Sequence, residues 1–160
     1  MANLFYTVQM AEDLVRNRKA FHDYHVLDTW EAGVALLGTE VKSLRNGRGN
    51  LQDAFVDTVS GELRLKQANI SVYEFGTYAN HDPLRPRKLL LHAEEIKRIT
   101  SKIDRKGLTI IPLGIYLTKR GKIKVKIALA EGKTHGDKRE ALKEREAKRE
   151  MDRIRKGDRE

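Results

Sequence analysis

The chain has 160 residues, with 32 Lys and Arg against 23 Asp and Glu, a formal net charge of +9, 39% hydrophobic residues and no cysteine. That is enough apolar chain for one modest core and not for two, so one compact domain with appendages is expected. Missing cysteine excludes disulfides, thiol nucleophiles and thiolate metal sites; the basic balance calls for an anionic partner; and no apolar run approaches the roughly 20 residues of a membrane span.

The opening MANLFYTVQMAEDLVRNRKA carries acids and lacks the basic-then-apolar order of a signal peptide, so a soluble cytoplasmic protein is expected, with residues 1–15 as an arm. HVLDTWEAGVALLG reads as a long strand with a bend or bulge at Gly33. GTEVKSLRNGRGN reads as a short helix capped by Thr39, with Val41 and Leu44 on one face and Gly47 or Gly49 at its end. LQDAFVDTVSGELRLKQANISVYEF is a hairpin turning at Ser60-Gly61. After the loop NHDPLRPRKLLLH, the spacing of Ile96, Ile99 and Ile103 predicts a helix that Gly107 stops. LTIIPLGIYLTKRGKIKVKIALA is a second hairpin, turning at Lys119-Arg120-Gly121 and setting Lys122, Lys124 and Lys126 against Ile123, Val125 and Ile127. These elements predict a mainly β fold: a closed antiparallel Greek-key barrel of OB type over residues 16–130, with two to three short inserted helices.

Residues 131–160 form a tail with 11 Lys and Arg against 9 Asp and Glu, and from Asp137 on its only apolar side chains are Ala141, Leu142, Ala147, Met151 and Ile154. Asp137 with Glu140 fits a capping box, and pairs such as Glu144 with Lys148 support a helix. An isolated helix with so little to bury is marginal in water, so the tail is expected to be disordered alone and helical on a partner.

No Walker loop, dinucleotide fingerprint or nucleophile elbow is present, and His22 and His25 lack further ligands at metal-site spacing, so neither catalysis, a metal nor a cofactor is expected. The basic clusters say more: Arg16, Arg18 and Lys19; Lys42, Arg45 and Arg48; Arg85, Arg87 and Lys88; Lys122, Lys124 and Lys126. Each alone could be a solvated face, but together on a barrel they favour RNA or DNA.

NRKA, WEAGVALLGTEVKSLRNGRGNLQDAF, DPLRPRKLLLH, KGLTIIPLGIYLTKRGKIKVKIALAEGK and DKREALKERE together resemble the SmpB family of SsrA-binding proteins over residues 16–156. The resemblance implies an OB-type barrel that binds the tRNA-like domain of transfer-messenger RNA. It also implies help with alanylation, and delivery of the RNA to stalled ribosomes. Elongation factor Tu and alanyl-tRNA synthetase would engage indirectly through the RNA, and the protein would act as a monomer. It further implies that Asn17, Arg18, Lys19, Glu31, Lys42, Arg45, Leu90 and His92 lie at the RNA surface, with Lys124 and Lys126 as phosphate contacts. Arg48, Arg87 and Lys88 are added from the basic clusters. Glu31 would either pair with a rim lysine or accept a hydrogen bond from a base or 2′-hydroxyl.

For the tail, the resemblance implies entry into the small-subunit decoding centre and the empty mRNA channel. Gly132 and Lys133 would be the hinge; His135, Asp137, Lys138 and Arg139 the decoding-centre contact; and Ile154 a distal anchor. The chain departs from the family pattern at Ala147, where an aromatic is common, at Gly136 between His135 and Asp137, and at Glu131, where lysine is frequent. Outside this family, the alternatives are a ribosomal structural or assembly protein, whose extensions usually run more strongly basic than this tail, and a single-stranded DNA binder, for which 6% aromatic residues is sparse.

Overall fold

The computed structural model describes residues 12–104 and 107–157; the first eleven residues of the expected arm lie outside them. Strands β1 (Glu12–Arg16), β2 (Tyr24–Val34), β4 (Phe55–Val59), β5 (Glu62–Lys66), β7 (Arg87–Leu90), β8 (Leu108–Leu117) and β9 (Ile123–Gly132) form one sheet in the order β1-β8-β4-β5-β7-β2-β9. Strand β9 pairs back onto β8, so the sheet closes, and every pairing is antiparallel. The short strands β3 (Gly49–Asn50) and β6 (Asn69–Ile70) pair separately. Helices α1 (Arg18–Asp23), α2 (Gly38–Arg45), α3 (Ala93–Ile103) and α4 (His135–Gly157) are inserted or appended.

Period-two patterning builds the barrel. In β5, Leu63 and Leu65 are buried between Glu62, Arg64 and Lys66; in β9, Val125 and Ile127 are buried while Lys124 and Lys126 face outward. Each fully buried leucine contributes about 1.5–3 kcal/mol by leaving water. Helix α3 adds Ile99, which is fully buried, with Ile96 and Ile103 packed against the same core, and α2 adds Leu44. The first hairpin turns on Ser60 and Gly61, both left-handed at φ 51° and 76°, which suits the twist of a two-residue connection.

Several boundaries differ from the sequence reading. The barrel starts at Glu12 and ends at Gly132, because β1 pairs with β8 and β9 runs on to pair Gly132 with Tyr24. Thr39 does not cap α2: Leu37 is the cap, its amide is held by the Glu40 carboxylate at 2.8 Å, and Thr39 instead bonds His81 at 2.8 Å. Gly33 carries no bulge; the irregularity in β2 falls between Val26 and Asp28, and Gly33 bridges β7 and β9. Of the tail, expected to be disordered alone, the described stretch His135–Gly157 is one 23-residue helix in which no residue is buried. Among the described residues, no helix is long and apolar enough to cross a membrane.

Candidate nucleic-acid interface

Strand register sets two rows on the outer barrel face. Leu90, Gly33, Lys124 and Tyr116 are successive cross-strand partners on β7, β2, β9 and β8. Beside them run Glu31, Lys126, Gly114 and Arg16, on β2, β9, β8 and β1. Partners across strands share a face, so the first row sets one leucine, a flat glycine and a lysine side by side and ends at the buried Tyr116. Gly33 fits because a Cβ there would stand 3.2 Å from the Leu90 Cβ. The open groove over these rows is lined by Glu31, Gly33, Leu90, His92 and Lys124, together with Trp30.

The acid in this face is set against a tyrosine. Tyr116 is buried, its hydroxyl has no hydrogen-bond partner among the described residues, and its ionisation is pushed well above the ordinary value by burial and then by the negative charge of Glu31. Glu31 is exposed and sits opposite Lys126, in a groove that Glu95 and Lys124 also line, so its carboxylate faces donors from outside.

A second group is built by α1. Arg18 and Lys19 are exposed there, with Lys19 3.7 Å from Asp53. Asn17 is not a free contact: at 5% exposure its side chain donates to the carbonyls of Leu51 (3.1 Å) and Pro112 (2.8 Å) and accepts from the Ala20 amide (3.3 Å), so it pins α1 to the barrel. Asn17→Ala orphans two buried carbonyls and removes a helix cap, an expected loss of about 1–3 kcal/mol in urea titration. Arg18→Ala and Lys19→Ala, both at exposed positions, should leave the urea midpoint in place.

Lys42, Arg45 and Arg48 are exposed on and just after α2; Lys42 lies 5.3 Å over the Tyr73 ring and Arg48 is 3.8 Å from Glu74. Lys88 faces outward, paired with Glu62 at 2.7 Å. Arg87 overturns its assignment to the RNA surface. It alternates inward with Leu89, is fully buried, and its guanidinium is bound by Glu40 at 2.9 Å and by backbone carbonyls of residues 68 and 83. The alternation of RKLL, which places Arg87 on the leucine face, was the signal available in the sequence.

The tail leaves the body through a tied joint. Gly132 is the last paired residue of β9; the Lys133 amide donates to the Asp23 carbonyl at 2.8 Å and its ammonium to the Phe21 carbonyl at 3.0 Å. Thr134, not Asp137, starts the reciprocal cap: Asp137 accepts from the Thr134 amide (3.0 Å) and hydroxyl (2.8 Å), and the Thr134 hydroxyl receives the Asp137 amide (3.3 Å). These bonds from Thr134, with a smaller contribution from His25 at 3.6 Å, hold the Asp137 carboxyl below its ordinary value. Lys138 reaches Asp23 at 3.3 Å. His135 and Arg139 are exposed on the first turns, and Ile154 is exposed near the far end. Asp23 and His25, whose spacing in the sequence gave no sign of a role, are thus the body's half of this joint.

Among the described residues, no group of three or more His, Asp or Glu side chains is placed to hold a metal. A family model described as SmpB protein matches residues 14–157. The SsrA-binding protein of Syntrophobacter fumaroxidans is 52% identical over 150 residues, covering 94% of this chain and 92% of its own. That of Desulforamulus reducens is 55% identical over 137 residues, covering 86% and 85%. A solved structure described as "tmRNA-SmpB: a journey to the center of the bacterial ribosome" is 50% identical, with a TM-score of 0.66 over 80% of this chain and 94% of that one.

Proposed function

The chain belongs to the SmpB family, and from that premise we propose that it is the RNA-binding adaptor of trans-translation. It holds the tRNA-like domain of transfer-messenger RNA, favours alanylation of that RNA, and accompanies it to stalled ribosomes. The protein works as a cytoplasmic monomer and performs no chemistry itself; alanyl-tRNA synthetase and elongation factor Tu act on the RNA it presents.

The observation that carries the reading is the outer face on which Glu31, Leu90, His92 and Lys124 line one groove and Lys126 stands beside them. Lys124 and Lys126 neutralise phosphates and release counterions. Leu90 over the flat Gly33 receives the apolar side of a sugar or base. Glu31 accepts from a 2′-hydroxyl or a base amine, which tells RNA from a mere polyanion. Arg18 and Lys19 extend the contact along α1. The tail, helical and dense in both signs of charge, enters the decoding centre and mRNA channel, with His135, Lys138 and Arg139 meeting rRNA.

The test is affinity for transfer-messenger RNA against an elongator tRNA across a salt series. A clear preference for the former is expected, and replacing both Lys124 and Lys126 by alanine should flatten the slope of log affinity against log salt by about 1.4–1.8, two phosphates' worth. Equal binding of both RNAs would leave only an electrostatic surface and overturn the reading.

A further inference from the structure

The loop between β6 and β7 exposes aromatic surface that neither the core nor the groove uses. Phe75 is 75% exposed and Tyr78 99%, while Tyr73 is half-buried and packs edge-on against Phe75 with centroids 5.7 Å apart. The loop is held in shape. The Asn80 side chain accepts from the Tyr73 amide at 3.0 Å and donates to the Tyr73 carbonyl at 2.6 Å. Asn80 lies so close to Gly76 that a Cβ there would meet its side chain at 2.7 Å. Thr77 takes a left-handed φ of 47° between them. Behind the loop, the Ser71 amide donates to the Arg48 carbonyl at 3.1 Å, and buried His81 bridges Thr39 and the Ile70 carbonyl at 2.8 Å each.

Large exposed rings on a braced loop mark a binding surface, and the surrounding charge identifies the occupant. Lys42 stacks over Tyr73, Arg48 neighbours Glu74, and Arg45 is exposed on the last turn of α2. Rings beside cations suit unstacked nucleotides, with bases lying on the rings and phosphates meeting the cations. A protein partner's apolar patch would gain nothing from the three cations.

We propose that the 71–80 loop and α2 form a second RNA contact, in which unpaired loop nucleotides of the carried RNA stack on Phe75 and Tyr78 while Lys42, Arg45 and Arg48 hold the flanking phosphates. This rests on the adaptor reading, since it takes the RNA that reading assigns and adds the aromatic loop beside Lys42, Arg45 and Arg48, which were already expected at the RNA surface.

The test uses the full chain and transfer-messenger RNA carrying 4-thiouridine. Photocrosslinks are expected at Tyr73, Phe75 or Tyr78 in addition to the groove, and Phe75→Ala with Tyr78→Ala should weaken binding by about tenfold or more for one stacked base without changing the salt slope. Both side chains are mostly solvent-exposed, so an unchanged urea midpoint confirms that the variant is folded. Lys42→Ala with Arg45→Ala should instead flatten the slope. Crosslinks confined to the groove, or an aromatic variant that binds like the parent, would overturn the second contact while the adaptor reading stands. If the parent chain shows no preference for this RNA, the adaptor reading itself fails, and that comparison is made first.

Discussion

Replacing Glu40 by alanine is expected to lower the stability of the protein by about 3–5 kcal/mol, read as a fall in the urea midpoint at constant slope. Glu40 is fully buried on α2 and binds four donors: the Leu37 amide at 2.8 Å, the Arg87 guanidinium at 2.9 Å, and the Arg85 guanidinium at 2.8 and 3.2 Å. Arg87 is as buried as its partner, so the substitution strands a charge in the core while also uncapping α2. Arg85 keeps a third of its side chain in water, and Arg85→Ala should cost much less. Removing both charges as Glu40→Met with Arg87→Met should recover part of the single-substitution loss. Recovery stays incomplete because the carbonyls of residues 68 and 83 lose their donor. A Glu40→Ala midpoint equal to that of the parent would show that the pair adds nothing to the fold.

The same carboxylate fixes one arm of the pH dependence. Burial pushes the Glu40 carboxyl up, but the hydrogen bonds from Arg85 and the Leu37 amide, with the charge of Arg87, outweigh it and hold it below the ordinary value of 4.5. A folded value below the unfolded one means that its contribution is complete above about 4.5 and is lost as pH falls toward the lowered value. Acid unfolding followed between pH 5 and 3 should therefore be shallower in Glu40→Gln than in the parent.

How much of this was written in the chain follows from which interactions are local. Alternation in KIKVKI and LRLK fixed which side chains enter the barrel, and Ser60-Gly61 and Gly121 marked the turns because left-handed backbone narrows the choice of residue. The α3 stripe of Ile96, Ile99 and Ile103 was equally legible. What escaped depends on distant partners. Glu40 and Arg87 are 47 residues apart in sequence, and a basic cluster reads as surface until the fold supplies a buried acid for one member. The resemblance implied Asn17 as an RNA contact, and its acceptors, the carbonyls of Leu51 and Pro112, carry no sequence signal that would have placed it inside. Helix α1 is only six residues, too short for a periodic pattern, and Thr134 was passed over as a cap in favour of Asp137 because the capping pair begins one turn earlier than the acidic run suggests.

A chain ending at Lys133 is expected to bind transfer-messenger RNA within roughly threefold of the full protein at about 0.15 M salt, yet to lose trans-translation outright. The truncation keeps β9 to Gly132 and the ties from Lys133 to Asp23 and Phe21, so the barrel face and α1 stay as they are. It removes a helix with no buried residue, whose charges of both signs largely cancel and are screened beyond roughly 8 Å, and hence contribute little to RNA held on the barrel face. On the proposed reading, the body is then intact and loaded but has nothing to place in the channel of a ribosome whose codon is missing. The measurement pairs RNA affinity with peptide tagging on ribosomes stalled at a truncated message. Lost RNA binding would show that the tail belongs to the RNA interface, and retained tagging would show that occupancy of the channel is not what the ribosome senses. Arg139→Glu in the full chain separates charge from mere length: tagging should fall while RNA affinity holds, because this exposed side chain lies on the first turns of α4, where the helix leaves the body and the reading places contact with rRNA.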